Sequence, residues 1–166
     1  MIFEIFVLAL TLLFSLVFQL TAAPYAEIFG VGPDLVFACV AALGAYGGFL
    51  RGSVYGAGVG FLMDVMFLSP GMYSLQYTLT GVVTGLFSSP RMSAARAAAI
   101  AVPVYALKEL AVLFTQYLRR VAVGWSDSLL NILIGAAYTA LMVLLYSMLF
   151  ARLRKNAGFF GRDDIL

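Results

Sequence analysis

A glycine recurs at every fourth position from Gly44 to Gly60, and this repeat constrains the fold more than any other feature of the chain. The five glycines (Gly44, Gly48, Gly52, Gly56 and Gly60) lie in largely apolar sequence whose only charge is Arg51. In water, each glycine would destabilise a helix by roughly 0.5–1 kcal/mol. In lipid, the backbone must hydrogen-bond internally, so a helix persists and residues four apart form a stripe without side chains. The repeat therefore predicts membrane helices whose backbones pack closely.

The composition independently indicates a membrane protein. Hydrophobic residues make up 63% of the chain, charged residues make up 11%, and the mean hydropathy is +1.02. An ordinary soluble domain carries roughly 25% charged residues. The stretches 5–26, 65–90 and 128–151 contain no charge, and each is longer than the roughly 20 residues that cross a bilayer core of about 30 Å. The sequence predicts an all-α integral membrane protein that contacts membrane lipid.

Clusters of proline, glycine and serine divide the chain into six predicted spans. The spans are 2–21, 33–50, 53–67, 72–87, 93–117 and 129–150, so that residues 1–150 form a transmembrane domain and residues 151–166 form a C-terminal tail. The first span is expected to be a retained helix, because no Lys or Arg precedes its apolar core as in a secretory leader. Short turns at 48–52 and 68–71 predict antiparallel neighbours.

The positive charges near the span ends predict the orientation in the membrane. Seven fall on one side of the predicted spans and two on the other, Arg119 and Arg120. This bias places both termini, and the links after the second and fourth spans, in the cytoplasm. The seven are Arg51, Arg91, Arg96, Arg152, Arg154, Lys155 and Arg162.

Residue types that serve catalysis or metal binding are scarce. The chain has no histidine, and its single cysteine, Cys39, lies in an apolar span. Asp34, Asp64 and Asp127 could all face outward, but three scattered carboxylates make a poor active site. The net charge of +2 is explained by topology. We therefore predict no enzymatic activity, no cofactor, no metal and no nucleic-acid partner.

Two adjacent charges, Lys108 and Glu109, lie inside the fifth span. A charge in the membrane costs at least about 2.5–3.5 kcal/mol unless it is paired or hydrated. Adjacent residues point about 100° apart on a helix, so each is expected to find a partner on another helix. For Lys108 the favoured partner is Asp64, since both lie in the predicted outer half of the membrane.

The glycine stripe and the polar residues of the fourth span each have a structural and a functional interpretation. The stripe of Gly48, Gly52, Gly56 and Gly60 could pack inside the fold, could hold the transmembrane helix of a partner protein, or could do both. The polar residues of the fourth span could line a cavity, although hydrogen bonds to neighbouring helices are the favoured interpretation. These residues are Tyr73, Ser74, Gln76 and Tyr77.

Three short stretches rich in glycine and proline lie around the second, third and fourth predicted spans. They are residues 28–36 (Ile-Phe-Gly-Val-Gly-Pro-Asp-Leu-Val), 56–64 (Gly-Ala-Gly-Val-Gly-Phe-Leu-Met-Asp) and 70–75 (Pro-Gly-Met-Tyr-Ser-Leu). Together they resemble the rod shape-determining MreD family of bacterial membrane proteins. The family motif positions are Pro33, Asp34, Asp64 and Gly71, in the family's order and spacing. The chain length and the number of spans also agree, whereas Lys108 and Glu109 match no family pattern, so no role transfers to them.

This resemblance implies a non-catalytic scaffold subunit of the cell-elongation machinery in the bacterial inner (cytoplasmic) membrane. It implies that the chain binds MreC and helps to organise peptidoglycan synthesis and maintain rod shape, with MreB, RodA and a class B penicillin-binding protein as further partners. The implied six-helix fold is similar to the S-components of energy-coupling-factor transporters. A vitamin-binding S-component is therefore the alternative. Two features oppose it: few polar residues are available to line a vitamin site, and the first span lacks the Ala-x-x-x-Ala pattern with which S-components dock their transmembrane partner. The oligomeric state stays open.

Overall fold

The computed structural model describes residues 2–21, 23–27, 30–89, 91–118, 120 and 125–157. Within these residues the chain is helical and forms no β-strand. A short 3₁₀ helix, Ala23–Ala26, follows the first of five α-helices. The α-helices are α1 (Ile2–Thr21), α2 (Leu35–Phe67), α3 (Met72–Leu86), α4 (Ala94–Leu118) and α5 (Trp125–Ala157).

Helix α2 is interrupted at Gly48, where the backbone takes φ +85° and ψ 172°. A Cβ placed on Gly52 would lie 2.8 Å from the Cα of Gly44, although eight residues of continuous helix span about 12 Å. The helix therefore folds back on itself as two arms, arm A (35–47) and arm B (49–67). The predicted turn is confirmed but is tighter than expected, because Arg51 and Gly52 already belong to arm B.

The helix boundaries follow the breakers in the sequence except at the two ends of the last helix, which begins at Trp125 rather than at the predicted residue 129. Helix α5 continues to Ala157, beyond the predicted end at Phe150. No proline or glycine interrupts residues 151–156, and Arg, Leu and Lys favour helix. The predicted tail of residues 151–166 therefore begins as helix, and residues 158–166 lie outside the described part.

Arm A lies at the centre of the fold. From Leu35 to Tyr46 every residue is buried. Side chains of α1 and α5 belong to the same apolar cluster, and Phe37 meets Tyr105 of α4 edge to face with ring centroids 5.4 Å apart. Arm B instead packs along α3. The polar start of arm A is therefore held between several helices.

Large apolar side chains cover much of the outside of the molecule, and several hydroxyl side chains are buried within it. Each α-helix exposes large hydrophobic residues, including Phe14, Leu62, Leu79, Leu107 and Leu133. The fully buried polar residues include Ser15, Thr84, Thr139 and Ser147. Soluble monomers rarely expose extensive apolar patches, so this distribution suits an apolar solvent.

Within the described residues, three helical segments are long and apolar enough to cross a membrane, judged by length and composition. They are Leu35–Phe67, Ala94–Leu118 and Ser128–Leu153, and Phe6–Thr21 is a shorter apolar helix. The sequence predicts six spans. The numbers differ for three reasons: Leu35–Phe67 contains two predicted spans, the described apolar part of α1, Phe6–Thr21, is too short, and α3 has only 15 residues.

Candidate functional site

An ion pair links the start of α2 to the middle of α4. Asp34 precedes α2, and its Oδ1 accepts a hydrogen bond from the Phe37 backbone N–H at 2.9 Å. Its Oδ2 accepts a hydrogen bond from Lys108 Nζ at 2.6 Å. Both side chains are only 13% exposed. Asp34 therefore caps one helix and anchors a second helix to it.

Lys108 contacts a second carboxylate and two aromatic rings. Its Nζ lies 3.0 Å from Glu109 Oε1, and 5.4 Å and 4.9 Å from the ring centroids of Phe37 and Tyr105. The two neighbouring charges thus contact each other, because both side chains are long enough to bend together. The expected partner on another helix exists for Lys108, but it is Asp34, whereas the described ion pair of Glu109 is with Lys108 on the same helix.

The Asp64 carboxylate binds the start of α3 and not Lys108, so the predicted pairing of Asp64 with Lys108 is wrong. Its carboxylate accepts hydrogen bonds from the backbone N–H groups of Tyr73 and Ser74 at 3.0 Å and 2.9 Å. It also accepts a bond from Ser74 Oγ at 2.5 Å. Gly71 precedes α3 in a left-handed conformation, φ +82°, which glycine adopts readily. Asp64 thereby supplies the cap that Gly71, having no side chain, cannot.

The four motif positions thus lie where helices begin or meet. Pro33 is buried directly before α2, Asp34 caps that helix, and Asp64 and Gly71 fix the start of α3. Each position has a structural role in the fold. The motif residues Ile28 and Phe29 lie outside the described residues.

The glycine stripe packs against α3 of the same chain. A Cβ on Gly52 would lie 2.5 Å from the Gly81 carbonyl oxygen, and one on Gly60 would lie 2.5 Å from the Cα of Ser74. A Cβ on Gly56 would meet the Tyr77 backbone in the same way. Of the two interpretations of the stripe, packing inside the fold is the one these contacts support for Gly52, Gly56 and Gly60, and the alternative, a partner helix bound at these three glycines, is wrong because α3 covers them. Gly48 is the turn, and a Cβ there would meet nothing within 4 Å.

Three cavities surround the ion pair, of about 550, 500 and 350 Å³. Glu109 lines all three, and Lys108 lines the two larger ones. The Glu109 side chain is 28% exposed and the Lys108 side chain is 13% exposed. The cavities lie at the end of the fold where α2 and α3 begin. Tyr73, Tyr77, Tyr105 and Gln19 complete the polar lining of the second cavity.

This lining contains more polar side chains than the sequence led us to expect for a single cavity. The four-residue spacing of Tyr73 and Tyr77 signals a shared helix face, and the sequence alone identified both as possible cavity residues. Tyr105 and Gln19 carry no comparable signal, because only the packing of α1 and α4 brings them to the same place. Sequence reasoning missed them.

The site has no obvious metal-binding arrangement. Across the described ranges, His, Cys, Asp and Glu form no group of three or more that could hold a metal ion. The cation that Asp34 and Glu109 both approach is the Lys108 ammonium. The arrangement is suited to holding helices together and to binding a polar group at the cavity surface.

Comparisons of the chain with protein-family models, with curated proteins and with solved structures give no match.

Proposed function

We propose that the chain is an integral protein of the bacterial inner membrane that crosses it six times, with both termini in the cytoplasm. The apolar exterior and the buried hydroxyl groups support embedding in lipid. The reversal at Gly48 supports counting arm A and arm B as separate crossings. Arg51 lies near this reversal, and Arg91 and Arg96 lie near the start of α4. The positive-inside rule puts that end in the cytoplasm.

Within this membrane setting, we propose an MreD-like scaffold of the cell-elongation machinery. The observation that carries the proposal is the convergence of Asp34, Asp64 and Gly71, three positions of the family-like motif, on the starts of α2 and α3. Motif residues that fix the starts of helices stabilise the fold and need take part in no reaction, which is consistent with a non-catalytic scaffold. The proposed function is to bind MreC non-catalytically and to help organise peptidoglycan synthesis with MreB, RodA and a class B penicillin-binding protein.

The surface for MreC would be an exposed apolar helix face, since α3 covers the glycine stripe. A partner helix in lipid associates through close packing and hydrogen bonds. Four exposed residues, each on a different helix, can serve as probes: Phe14, Leu62, Leu107 and Leu133. Each can be replaced in turn by a photo-crosslinking residue in cells that produce MreC.

The experiment then asks which positions crosslink to MreC. We expect crosslinks from one face and none from the others, together with co-purification of MreC. Phe37, which is fully buried, serves as the matched negative position. Absence of crosslinks from all four positions, together with failure to co-purify MreC, would overturn the scaffold proposal.

The cavities favour a second candidate function, the substrate-binding S-component of an energy-coupling-factor vitamin transporter. Pockets for small molecules combine apolar walls with a few convergent polar groups, and the second cavity has three tyrosines beside Asp34, Lys108 and Glu109. Tight binding of a water-soluble vitamin by the purified chain, without MreC association, would favour this candidate. Lack of vitamin binding would leave the scaffold as the supported function.

A further inference from the structure

A polar cavity and an apolar groove join along α3 and α4. The 550 Å³ cavity beside the ion pair and a groove of about 280 Å³ share Met72, Gln76 and Lys108 in their walls. We call the two together the α3–α4 cleft. The groove is lined almost entirely by apolar side chains, including Leu75, Leu79 and Leu107. The cleft therefore changes from polar to apolar along its length, as an amphiphilic molecule does.

The charge of the polar part favours a cation. Among the described residues, Lys108 and Glu109 are the charged residues that line the polar cavity. Asp34 lines the neighbouring 500 Å³ cavity and contacts the same Lys108 ammonium at 2.6 Å, so the three charges together sum to −1. The Lys108 ammonium already contacts both carboxylates, so an added anion would meet a net charge of −1. Glu109 is the most exposed member of the three and can accept a hydrogen bond from a bound cation.

We propose that a phospholipid with a primary ammonium headgroup, of the phosphatidylethanolamine class, occupies the α3–α4 cleft. Its ammonium group donates to Glu109, and one acyl chain lies in the groove between α3 and α4. The amide groups of Gln76 and Gln116, which also line the polar cavity, are available to donate to the phosphate. The polar cavity lies where α3 begins, which in a membrane corresponds to the headgroup level.

The direct test is competition between two lipids for the full chain. The protein is purified in detergent, mixed with equal amounts of phosphatidylethanolamine and phosphatidylglycerol of matched acyl chains, and examined by native mass spectrometry. We expect the ethanolamine lipid to be retained about fivefold more, the effect of one partly exposed ion pair. Equal retention, or preference for the glycerol lipid, would overturn the proposal.

Matched variants separate the headgroup site from the groove. Glu109→Gln should abolish the preference for the ethanolamine lipid, since it removes the charge that selects the ammonium. The control Glu27→Gln, at an exposed carboxylate, should leave the preference unchanged. Ala111→Phe, which fills the groove, should reduce retention of both lipids. Ala99→Phe, at an exposed alanine of α4 outside the groove, should not. Far-ultraviolet circular dichroism and a single elution peak check that each variant is folded.

Free ethanolamine is the control ligand. If it binds in the millimolar range or tighter while neither lipid is retained, the cleft binds a soluble amine and the lipid proposal fails. If retention survives Ala111→Phe, the acyl chain does not lie in the groove and the proposal fails as well. The proposal requires the chain to lie in a membrane but does not require MreC, so lipid binding and MreC binding can fail independently.

Discussion

Among single residues, Lys108 has the largest predicted effect on stability, because its ammonium group contacts two carboxylates inside the fold. Replacing it by methionine preserves most of the apolar stem but leaves Asp34 and Glu109 without a counter-charge. Removing one partner of a buried pair typically costs about 3–5 kcal/mol. The ion pair therefore makes the contact between α2 and α4 sensitive to a single substitution.

We predict that Lys108→Met lowers the free energy of unfolding in detergent by about 3 kcal/mol or more. Denaturant titration followed by circular dichroism measures the change. The double variant Lys108→Met/Asp34→Asn should recover part of the loss, because the uncompensated charge at Asp34 is removed. Arg120→Met, at an exposed position, is the control and should change little. A harmless Lys108→Met would contradict the pairing.

Asp64 provides a second test at the residue scale. Asp64→Ala leaves two backbone N–H groups at the start of α3 without their acceptor, and we expect a loss of about 2 kcal/mol. Ser74→Ala removes only the hydroxyl contact and should cost about 1 kcal/mol. Thermal unfolding in the same detergent compares them. An equal or larger loss in Ser74→Ala would show that the backbone cap is not the main contribution.

Side-chain partners were the part that the sequence could not predict. The depth of Lys108 along its helix was compatible with Asp64, but depth does not fix the rotation of one helix about another. Asp34 lies 74 residues away from Lys108, and only the central position of arm A brings the two together. The three-tyrosine lining of the cavity depends on the same long-range packing.

At the scale of elements, the contact between arm B and α3 depends on residues without side chains. Gly52 and Gly81 approach so closely that a Cβ on either would overlap the other's backbone. The sequence predicted this close packing from the four-residue spacing, since spacing on one helix is a local property. It could not say whether the neighbouring helix belonged to the same chain.

Two glycines of arm B distinguish packing from helix propensity. A Cβ on Gly56 would lie 2.7 Å from the Tyr77 carbonyl carbon, whereas one on Gly58 would meet nothing within 4 Å. We predict that Gly56→Ala destabilises the fold by about 1–3 kcal/mol through overpacking. Gly58→Ala should be neutral or stabilise it by up to about 1 kcal/mol. Denaturant unfolding of the two variants measures both changes, and equal effects would contradict the close contact with α3.

At the scale of the whole molecule, the polar cavities and the reversal at Gly48 lie at opposite ends of α3. Gly85, near the end of α3, lies against Phe49 beside the reversal, whereas Asp64 contacts the start of α3. Length and hydropathy predicted most helix boundaries, because breakers and apolar runs are local. The orientation of the two ends in a membrane comes from the charge bias alone.

Six crossings with a cytoplasmic reversal at Gly48 are the central claim, since both the scaffold and the lipid proposal assume this arrangement. The most direct measurement is labelling of single cysteines, introduced at Ser69, Ser89 or Ser126 in a chain lacking Cys39, with an impermeant thiol reagent applied to intact spheroplasts. We predict labelling at Ser69 and Ser126, and labelling at Ser89 only after the membrane is opened. Labelling at Ser89 but not at Ser69 from outside would contradict the arrangement.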